Sequence, residues 1–584
     1  MNRRSFFSSL AAGVVVLLLI GISGYFWIVS QSPLTLHSGG SKNPAAAMFV
    51  SKQAPVMVSL LVNPDKLESL QRLATRSKQG KTSLFDLDDL KTSLLADTGL
   101  DYRRDIQPWL GEEITLAVTS ADFDRDESNG KQPGYLMVLS TKDPTKSREF
   151  LQLLFSKRAI AGRNLVSEQY KGVNLISDTV PVAIADPSAT KLPKKSSRQT
   201  EYLAGGVVGD RVLFANHPKV LREAINNVQA TDLNLTSSSQ YQQALTLLPS
   251  QQIGVAFLNL KSVVEWLQKQ PQSLTYTSQI VGLELNRQGL LAHTSFIASP
   301  EQETASVSMS QPLQALKYIP DNTGLSISGS DLSNSKKTDL YQLWTQVTAV
   351  LSGSGNDAIS KLVTQPLAKL QSDWGIDLEK DIFSWVEGEY AIGMLPHTDA
   401  SAPDWIFVAE KTDAAEQGID HLNAIATDRG LSITPLSLGE QKIYAWTQLT
   451  TTPTNDKNSD RALLTIKAKV EGVQANLENY EILTTSVEAM DAAIIAVQNG
   501  SLIDFAQFQP SVKMIPQPNQ GYIYLDWQKS REVLERQVPI LKLLSVAGKP
   551  FFDNLRSLTI SSYGSQTGVI KGSIFFQLKS APRD

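Results

Sequence analysis

The stretch GLDYRRDIQPWLGEE (Gly99–Glu113) returns later in the chain as GIDLEKDIFSWVEGE (Gly375–Glu389). The two copies align without a gap and share six residues, whereas ordinary amino-acid usage would give about one identity in such a window. The shared pairs are Gly99/Gly375, Asp101/Asp377, Asp105/Asp381, Ile106/Ile382, Trp109/Trp385 and Glu113/Glu389. This signature, in which one Trp aligns with another, predicts an internal duplication.

The repeat extends well beyond the signature. Gly134–Asp143 matches Asp404–Asp413 at an offset of 270 residues, and Leu213–Ile225 matches Ile482–Ile494 at an offset of 269. The matched segments keep the same order along the chain. A unit of this length is far longer than a solenoid repeat, so the sequence predicts a pair of homologous domains.

The N-terminus predicts a membrane anchor. Arg3 and Arg4 precede an uncharged run at 6–29, which as a helix would be about 36 Å long. That length crosses a hydrocarbon core of about 30 Å, with the arginines on the cytoplasmic side. A twin-arginine-like signal at 2–7 or cleavage near 45–47 would instead release the chain. We favour the uncleaved anchor because the run exceeds a signal-peptide core.

Strands and helices are mixed along both copies, and short polar loops join many neighbouring strands, which favours antiparallel pairing. We therefore predict an α+β fold class: an N-terminal transmembrane helix followed by two tandem homologous α+β domains with mainly antiparallel sheets. The expected segments are a cytoplasmic N-terminus at 1–5, a transmembrane signal anchor at 6–29, a linker at 30–46, the first repeat domain at 47–300 and the second at 311–579.

The residue types in the signature are typical of positions that cap a turn or pack in the core. Gly99 and its partner Gly375 suit the left-handed position that ends a helix. Asp101 or Asp105 would cap the following turn, and Trp109 would point into the core. The functional alternative is a paired-carboxylate site formed by the two aspartates, but the sequence offers no partner base for it.

Composition excludes several classes of protein. Apolar residues make up 42% and charged residues 19% of the chain, as in ordinary globular proteins. With a net charge of −4 the chain has no excess of basic residues for binding phosphates, so we expect no nucleic-acid partner. The absence of cysteine excludes disulfides, thiolate catalysis and cysteine-based zinc sites.

Metal and catalytic motifs are not found either. The five histidines show no paired ligand spacing; they are His37, His217, His293, His397 and His421. Asp122, Asp124 and Asp126 resemble the start of a calcium loop, but Glu127 and Pro133 occupy its sixth and twelfth positions. A solvated acidic loop is the favoured interpretation, with an occasional Ca²⁺ contact as the alternative. We predict no catalytic residues, no metal ligands and no cofactor; binding residues stay unknown.

Three further polar segments have a structural interpretation. Asp86, Asp88 and Asp89 suit the start of a helix, where carboxylates favour the helix dipole. The SGSGN stretch at 352–356 suits a break after a helix. The basic residues Lys191, Lys194, Lys195 and Arg198 suit a solvated loop, with a patch for an acidic partner as the alternative.

The pattern G-x-D-x-x-x-D-I-x-x-W, the helix PKVLREAI after LFAN, and the N-terminal anchor together resemble an uncharacterised cyanobacterial family of membrane-anchored proteins that carry a domain of unknown function. The resemblance covers the chain from about 47 to 578. It implies a cyanobacterial source and a location in the periplasm or the thylakoid lumen, and it brings no site residues.

These observations predict a single-pass membrane protein with a cytoplasmic N-terminus and extracytoplasmic C-terminal domains. The expected role is non-catalytic: a binding or scaffold protein for a protein partner or lipid of the cell envelope or thylakoid lumen. One alternative is a carrier or sensor of an apolar ligand held between the two repeats. Another is a hydrolase whose site is assembled from distant Asp, Glu and Ser residues.

Overall fold

A computed structural model describes most of the chain after the N-terminal segment. The described residues are 43–63, 101–126, 128, 130–179, 202–250, 252–266, 276–286, 288–298, 313–337, 371, 375–396, 403–454, 463–537, 549–564 and 568–578. The chain divides into two compact units. The first comprises residues 1–301, 547–554 and 580–584, and the second comprises residues 302–546 and 555–579.

Ten strands and four helices are described in the main segment of the first unit. The strands are β1 (Val56–Leu60), β2 (Leu110–Ser120), β3 (Gly134–Thr141), β4 (Asn164–Tyr170), β5 (Val173–Thr179), β6 (Ala204–Val208), β7 (Arg211–Ala215), β8 (Gly254–Asn259), β9 (Tyr276–Asn286) and β10 (Gly289–Ala298). The helices are α1 (Pro144–Ile160), α2 (Pro218–Gln229), α3 (Ser239–Thr246) and α4 (Leu260–Trp266).

The second unit shows the same elements in the same order. Its described strands are β11 (Leu325–Ser330), β12 (Glu389–Leu395), β13 (Asp404–Glu410), β14 (Ser432–Leu438), β15 (Gln441–Thr454), β16 (Leu463–Leu477), β17 (Tyr480–Thr484), β18 (Tyr522–Asp526), β19 (Leu555–Ser562) and β20 (Val569–Leu578). Its described helices are α5 (Asp413–Asp428), α6 (Val487–Asn499), α7 (Phe508–Lys513) and α8 (Trp527–Gln537). The short helix α9 (Lys549–Asn554) precedes β19.

Strand pairing is antiparallel within each unit. In the first unit the spatial order is β4-β5-β6-β7-β3-β2-β1-β8-β9-β10. In the second it is β14-β15-β16-β17-β13-β12-β11-β18-β19-β20, which is the same arrangement. This correspondence is what a duplicated chain would show, although the domain limits 47–300 and 311–579 stay a prediction.

The strands differ in exposure according to their place in the sheet. β10 is buried along nearly its whole length, as its apolar sequence GLLAHTSFIA favours. The outermost strands β4 and β14 are exposed on both faces. Each has one described strand partner, β5 for β4 and β15 for β14. The described part of each unit therefore has a solvated sheet edge next to its first long helix.

Polar residues just before the helices set where they begin. Asp143 precedes α1 and accepts hydrogen bonds from the main-chain N–H groups of Thr145 and Lys146. Helix α5 begins after Thr412, whose hydroxyl accepts from the N–H of Ala415. Such caps satisfy N–H groups that have no partner within the helix. Both long helices then pack their apolar faces on the sheet.

The predicted fold class was wrong as stated. The described chain is mostly antiparallel sheet, and its described helices are fewer than its described strands. Among the described residues, none of the helices combines the length and apolar character needed to cross a membrane. The predicted segments 1–5 and 6–29 and most of the linker 30–46 lie outside the described residues. The sheet dominates because consecutive strands return through short turns and bury each other's apolar side chains.

Candidate functional site

The repeated signature forms a capped turn in each unit. In the first unit the turn is a single π-helical turn, Tyr102–Ile106, preceded by Asp101. The Asp101 carboxylate accepts from the N–H of Arg104 at 2.8 Å, and Asp105 accepts from the N–H of Asp101 at 2.8 Å. The two carboxylates therefore cap the turn reciprocally, as in a capping box.

The second unit repeats this arrangement. Its π-helical turn is Leu378–Ile382, preceded by Asp377. The Asp377 carboxylate accepts from the N–H groups of Glu379 and Lys380 at 3.1 and 3.3 Å, and Asp381 accepts from the N–H of Asp377 at 2.7 Å. Because all four aspartates accept main-chain N–H groups, the geometry gives them a structural role.

The signature tryptophan is anchored to the same turn. The indole N–H of Trp109 donates to the main-chain oxygen of Asp105 at 2.8 Å, and Trp385 donates to Asp381 at 2.8 Å. Trp109 is buried among apolar residues, with its ring centroid 5.1 Å from that of Phe150. Gly375 precedes the second turn at φ 61°, the left-handed conformation expected of it.

The signature glutamate makes a contact that sequence reasoning missed. Glu113 is buried and accepts from the N–H of Ala46 at 2.9 Å. Glu389 accepts from the N–H groups of Gln314 and Ala315 at 2.9 and 3.3 Å. Each glutamate thus caps the short 3₁₀ turn that opens its unit, at 45–49 and at 314–318. The only sequence signal was the repeated Glu, since its partner lies 67 residues earlier in the first unit.

The two units surround these carboxylates differently. Asp105 is paired with the neighbouring Arg104, whose Nε donates at 2.8 Å, while Asp381 lies 3.3 Å from Nε2 of His421. The hydrogen bond from Arg104 holds the pKa of Asp105 below its usual value. Asp105 is therefore a charged, paired group.

The glutamates also have different neighbours. Arg211 lies 3.6 Å from Glu113, whereas the equivalent first residue of β17, Tyr480, donates its hydroxyl to Glu389 at 3.1 Å. The Tyr480 ring lies 5.4 Å from that of Tyr318, whose hydroxyl donates to Glu478 at 3.2 Å. Burial and Glu478 raise the pKa of Tyr318 to about 12, and burial and Glu389 raise that of Tyr480 further still. Both phenols are hydrogen-bond donors at neutral pH.

Three histidines lie among the described residues, in three different settings. His217 caps α2, its Nδ1 accepting from the N–H of Lys219 at 3.1 Å, and its ring lies between Phe123 and Tyr202 at centroid distances of 4.5 and 4.8 Å. Buried His293 lies 3.2 Å from Glu284, and exposed His421 contacts Asp381. His37 and His397 lie outside the described residues.

The acidic loop after β2 is held by its own backbone. Asp122 accepts from the N–H of Gln132, and Asp124 accepts from that of Asp126. Asp126 accepts from the N–H and hydroxyl of Ser128. Across the described residues, no three His, Cys, Asp or Glu side chains are grouped so that they could hold a metal ion.

Several sequence candidates fall on segments outside the described residues. They are Asp86, Asp88 and Asp89, the basic residues Lys191, Lys194, Lys195 and Arg198, and the SGSGN stretch at 352–356.

The two units differ most clearly in the charge of their first long helix, which lies next to the sheet edge. Helix α1 has one acidic residue, Glu149, and four basic residues: Lys146, Arg148, Lys157 and Arg158. Helix α5 has no Lys or Arg and four acidic residues: Asp413, Glu416, Asp420 and Asp428. The formal charge is therefore +3 on α1 and −4 on α5. Two helices in equivalent places of the two units thus have opposite charge.

The fold and these contacts define a protein of two antiparallel-sheet units with the same strand order, in which the residues shared by the two signatures support the backbone. The chain belongs to the family described as "Protein of unknown function (DUF3352)", whose sequence model matches residues 10–578. No curated protein matches the chain. A solved structure described as "Structure of crystal form I of TP0453" is 11% identical, with 45% of this chain and 81% of that chain covered and a TM-score of 0.22. A similarity of that size carries no inference.

Proposed function

We propose that this chain is a non-catalytic binding or scaffold protein that acts through its surface. The observation that carries the proposal is the use of the signature carboxylates. Asp101, Asp105 and Glu113, like their counterparts in the second unit, accept main-chain N–H groups. The groups preserved between the two units therefore maintain the fold, and the units differ in their exposed charges.

The supporting argument is one of chemistry. A general acid or base needs a side chain within hydrogen-bond reach of a substrate proton. Carboxylates already bonded to backbone N–H groups have much of that capacity occupied. The raised pKa values of Tyr318 and Tyr480 keep both phenols protonated at neutral pH, so neither can act as a general base there. A binding surface needs only accessible, complementary groups, which the charged helices offer.

Lysine-reactive cross-linking in intact cells, followed by mass spectrometry, tests the proposal. We expect reproducible cross-links to a protein from exposed lysines at the start of α1, such as Lys142 and Lys146. Exposed Lys513 on α7 is the matched reference, and its cross-links should not be enriched. Turnover of a hydrolase substrate panel by the purified chain, lost when Asp101 and Asp105 are changed to Asn, would overturn the proposal.

The apolar-ligand carrier and the hydrolase stay hypotheses, and no contact among the described residues favours either of them. The periplasmic or luminal location and the cyanobacterial source stay predictions from the sequence.

A further inference from the structure

Helices α1 and α5 occupy the same place in their units. Each follows the strand that pairs with β7 or β17, and each packs beside the outermost strand of its sheet. Their apolar faces are buried in the same manner, through Leu151 and Leu154 in α1 and through Ile419 and Leu422 in α5. What differs is the formal charge of the whole helix, which is +3 for α1 and −4 for α5.

Among the described residues, part of this charge has no ion-pair partner. Arg158 pairs with buried Asp178, and Glu416 pairs with Lys411 at 3.1 Å. In the part of the chain that the structure describes, exposed Arg148 on α1 makes no ion pair. The same holds there for exposed Asp420 and Asp428 on α5. Charges of opposite sign thus remain available on the two helices.

Apolar side chains accompany the charge. Ile160 at the end of α1 is 88% exposed, and Val166 on β4 is 50% exposed, next to exposed Leu165. On the other unit, exposed Leu436 lies beside Pro435 on β14. Exposed apolar groups within a charged rim are typical of protein interaction surfaces.

The sheet edges limit how these surfaces can meet. An outermost strand presents unpaired N–H and C=O groups that can pair with another chain. Pro435 has no N–H and interrupts any continuous pairing along β14, whereas β4 contains no proline. A contact between the two faces must therefore rest chiefly on side-chain charge and apolar packing.

We propose that the α1–β4 face of one copy docks on the α5–β14 face of a second copy, so that copies associate head to tail. The proposal rests on the binding function above and names its partner. Contact between two different faces is a heterologous interface, which forms a ring or an open array according to whether its rotation closes. Opposite charges orient such an encounter and make it sensitive to salt.

Sedimentation velocity of the purified full chain tests this association. We expect a mass above the 63.9 kDa of one chain that rises with protein concentration. It should fall as the ionic strength increases from about 0.05 M to 0.5 M, because exposed charges are then screened. A contact within one chain would not depend on concentration.

Charge reversal locates the contact. Lys146→Glu with Arg148→Glu, or Asp420→Lys with Asp428→Lys, should each weaken association at least about tenfold, because like charges then face each other. Combining all four changes should restore it, since opposite charges face each other again. Glu near the start of α1 and Lys at the last residue of α5 favour the helix dipoles, and Asp420 is an exposed mid-helix position, so these variants should fold.

A matched control changes the same amount of charge elsewhere: Lys261→Glu with Lys513→Glu, both exposed and on α4 and α7. It should leave association unchanged. A monomer at every concentration, or association unaffected by the reversals, would overturn the inference. If that monomer still cross-links to a different protein through Lys146, the proposed binding function is supported and only the proposal that the partner is a second copy is wrong.

Discussion

The indole N–H of Trp385 donates to the main-chain oxygen of Asp381 at 2.8 Å, while the carboxylate of the same Asp381 accepts from the N–H of Asp377 at 2.7 Å. Asp101, Asp105 and Trp109 are linked in the same way. One aspartate thus holds the turn through its side chain and the tryptophan through its main chain. This explains why the two intervals from Asp to Asp and from Asp to Trp are both four residues.

Replacing Trp109 or Trp385 by Phe should destabilise its own unit. The change removes the indole hydrogen bond and part of a buried ring, at a cost of about 1–3 kcal/mol each. The urea midpoint of each variant measures the loss. Exposed Leu153→Ala on α1 is the control and should change little. Equal midpoints for wild type and both Trp variants would contradict the anchoring role.

Gly418→Ala should destabilise the second unit through the same tryptophan. A Cβ at Gly418 would lie 2.4 Å from Cδ1 of Trp385, whose ring is held by its bond to Asp381. Overpacking of a buried site costs about 1–3 kcal/mol. The neighbouring Gln417→Ala is exposed and should stay near wild type. A Gly418→Ala protein with an unchanged thermal midpoint would show that the ring can move.

Local patterns predicted the part of the site that is local in sequence. Capping aspartates, a core tryptophan and the left-handed Gly375 follow from residue type and spacing within one turn. The role of Glu113 did not follow, because Ala46 reaches it only through the folding of a distant segment. The fold class failed for a related reason: the extent of a sheet depends on long-range pairing that periodicity does not specify.

Asp105→Asn should reduce the loss of stability that the protein shows as the pH is lowered. Arg104 lowers the pKa of Asp105 in the folded chain, so its contribution is present above the ordinary Asp pKa and is lost as pH falls through the folded value. Asn can still accept the N–H of Asp101 but has no charge to lose. Thermal midpoints between about pH 3 and pH 7 measure the difference. Asp232→Asn, at an exposed turn, is the control and should keep the wild-type profile.

His217 should make the free energy of unfolding depend on pH just below neutrality. Its Nδ1 accepts the N–H of Lys219, which requires the neutral ring, and burial with nearby Arg222 and Lys219 lowers its pKa below 6.5 against the opposing effect of Asp124. The unfolded chain therefore binds the proton more readily. Stability is complete above the ordinary His pKa and should fall as pH drops below it.

His217→Ser should remove this fall while keeping the cap. Ser486 occupies the equivalent position in the second unit and accepts from the N–H of Ala489 at 3.0 Å, so a hydroxyl suits this helix start. Thermal midpoints at about pH 7.5 and 5.5 should then differ less than in wild type. His217→Ala would lose the cap, at about 1 kcal/mol at either pH. Lys513→Gln, at an exposed site, should keep the wild-type difference. If His217→Ser kept it too, another group would be responsible.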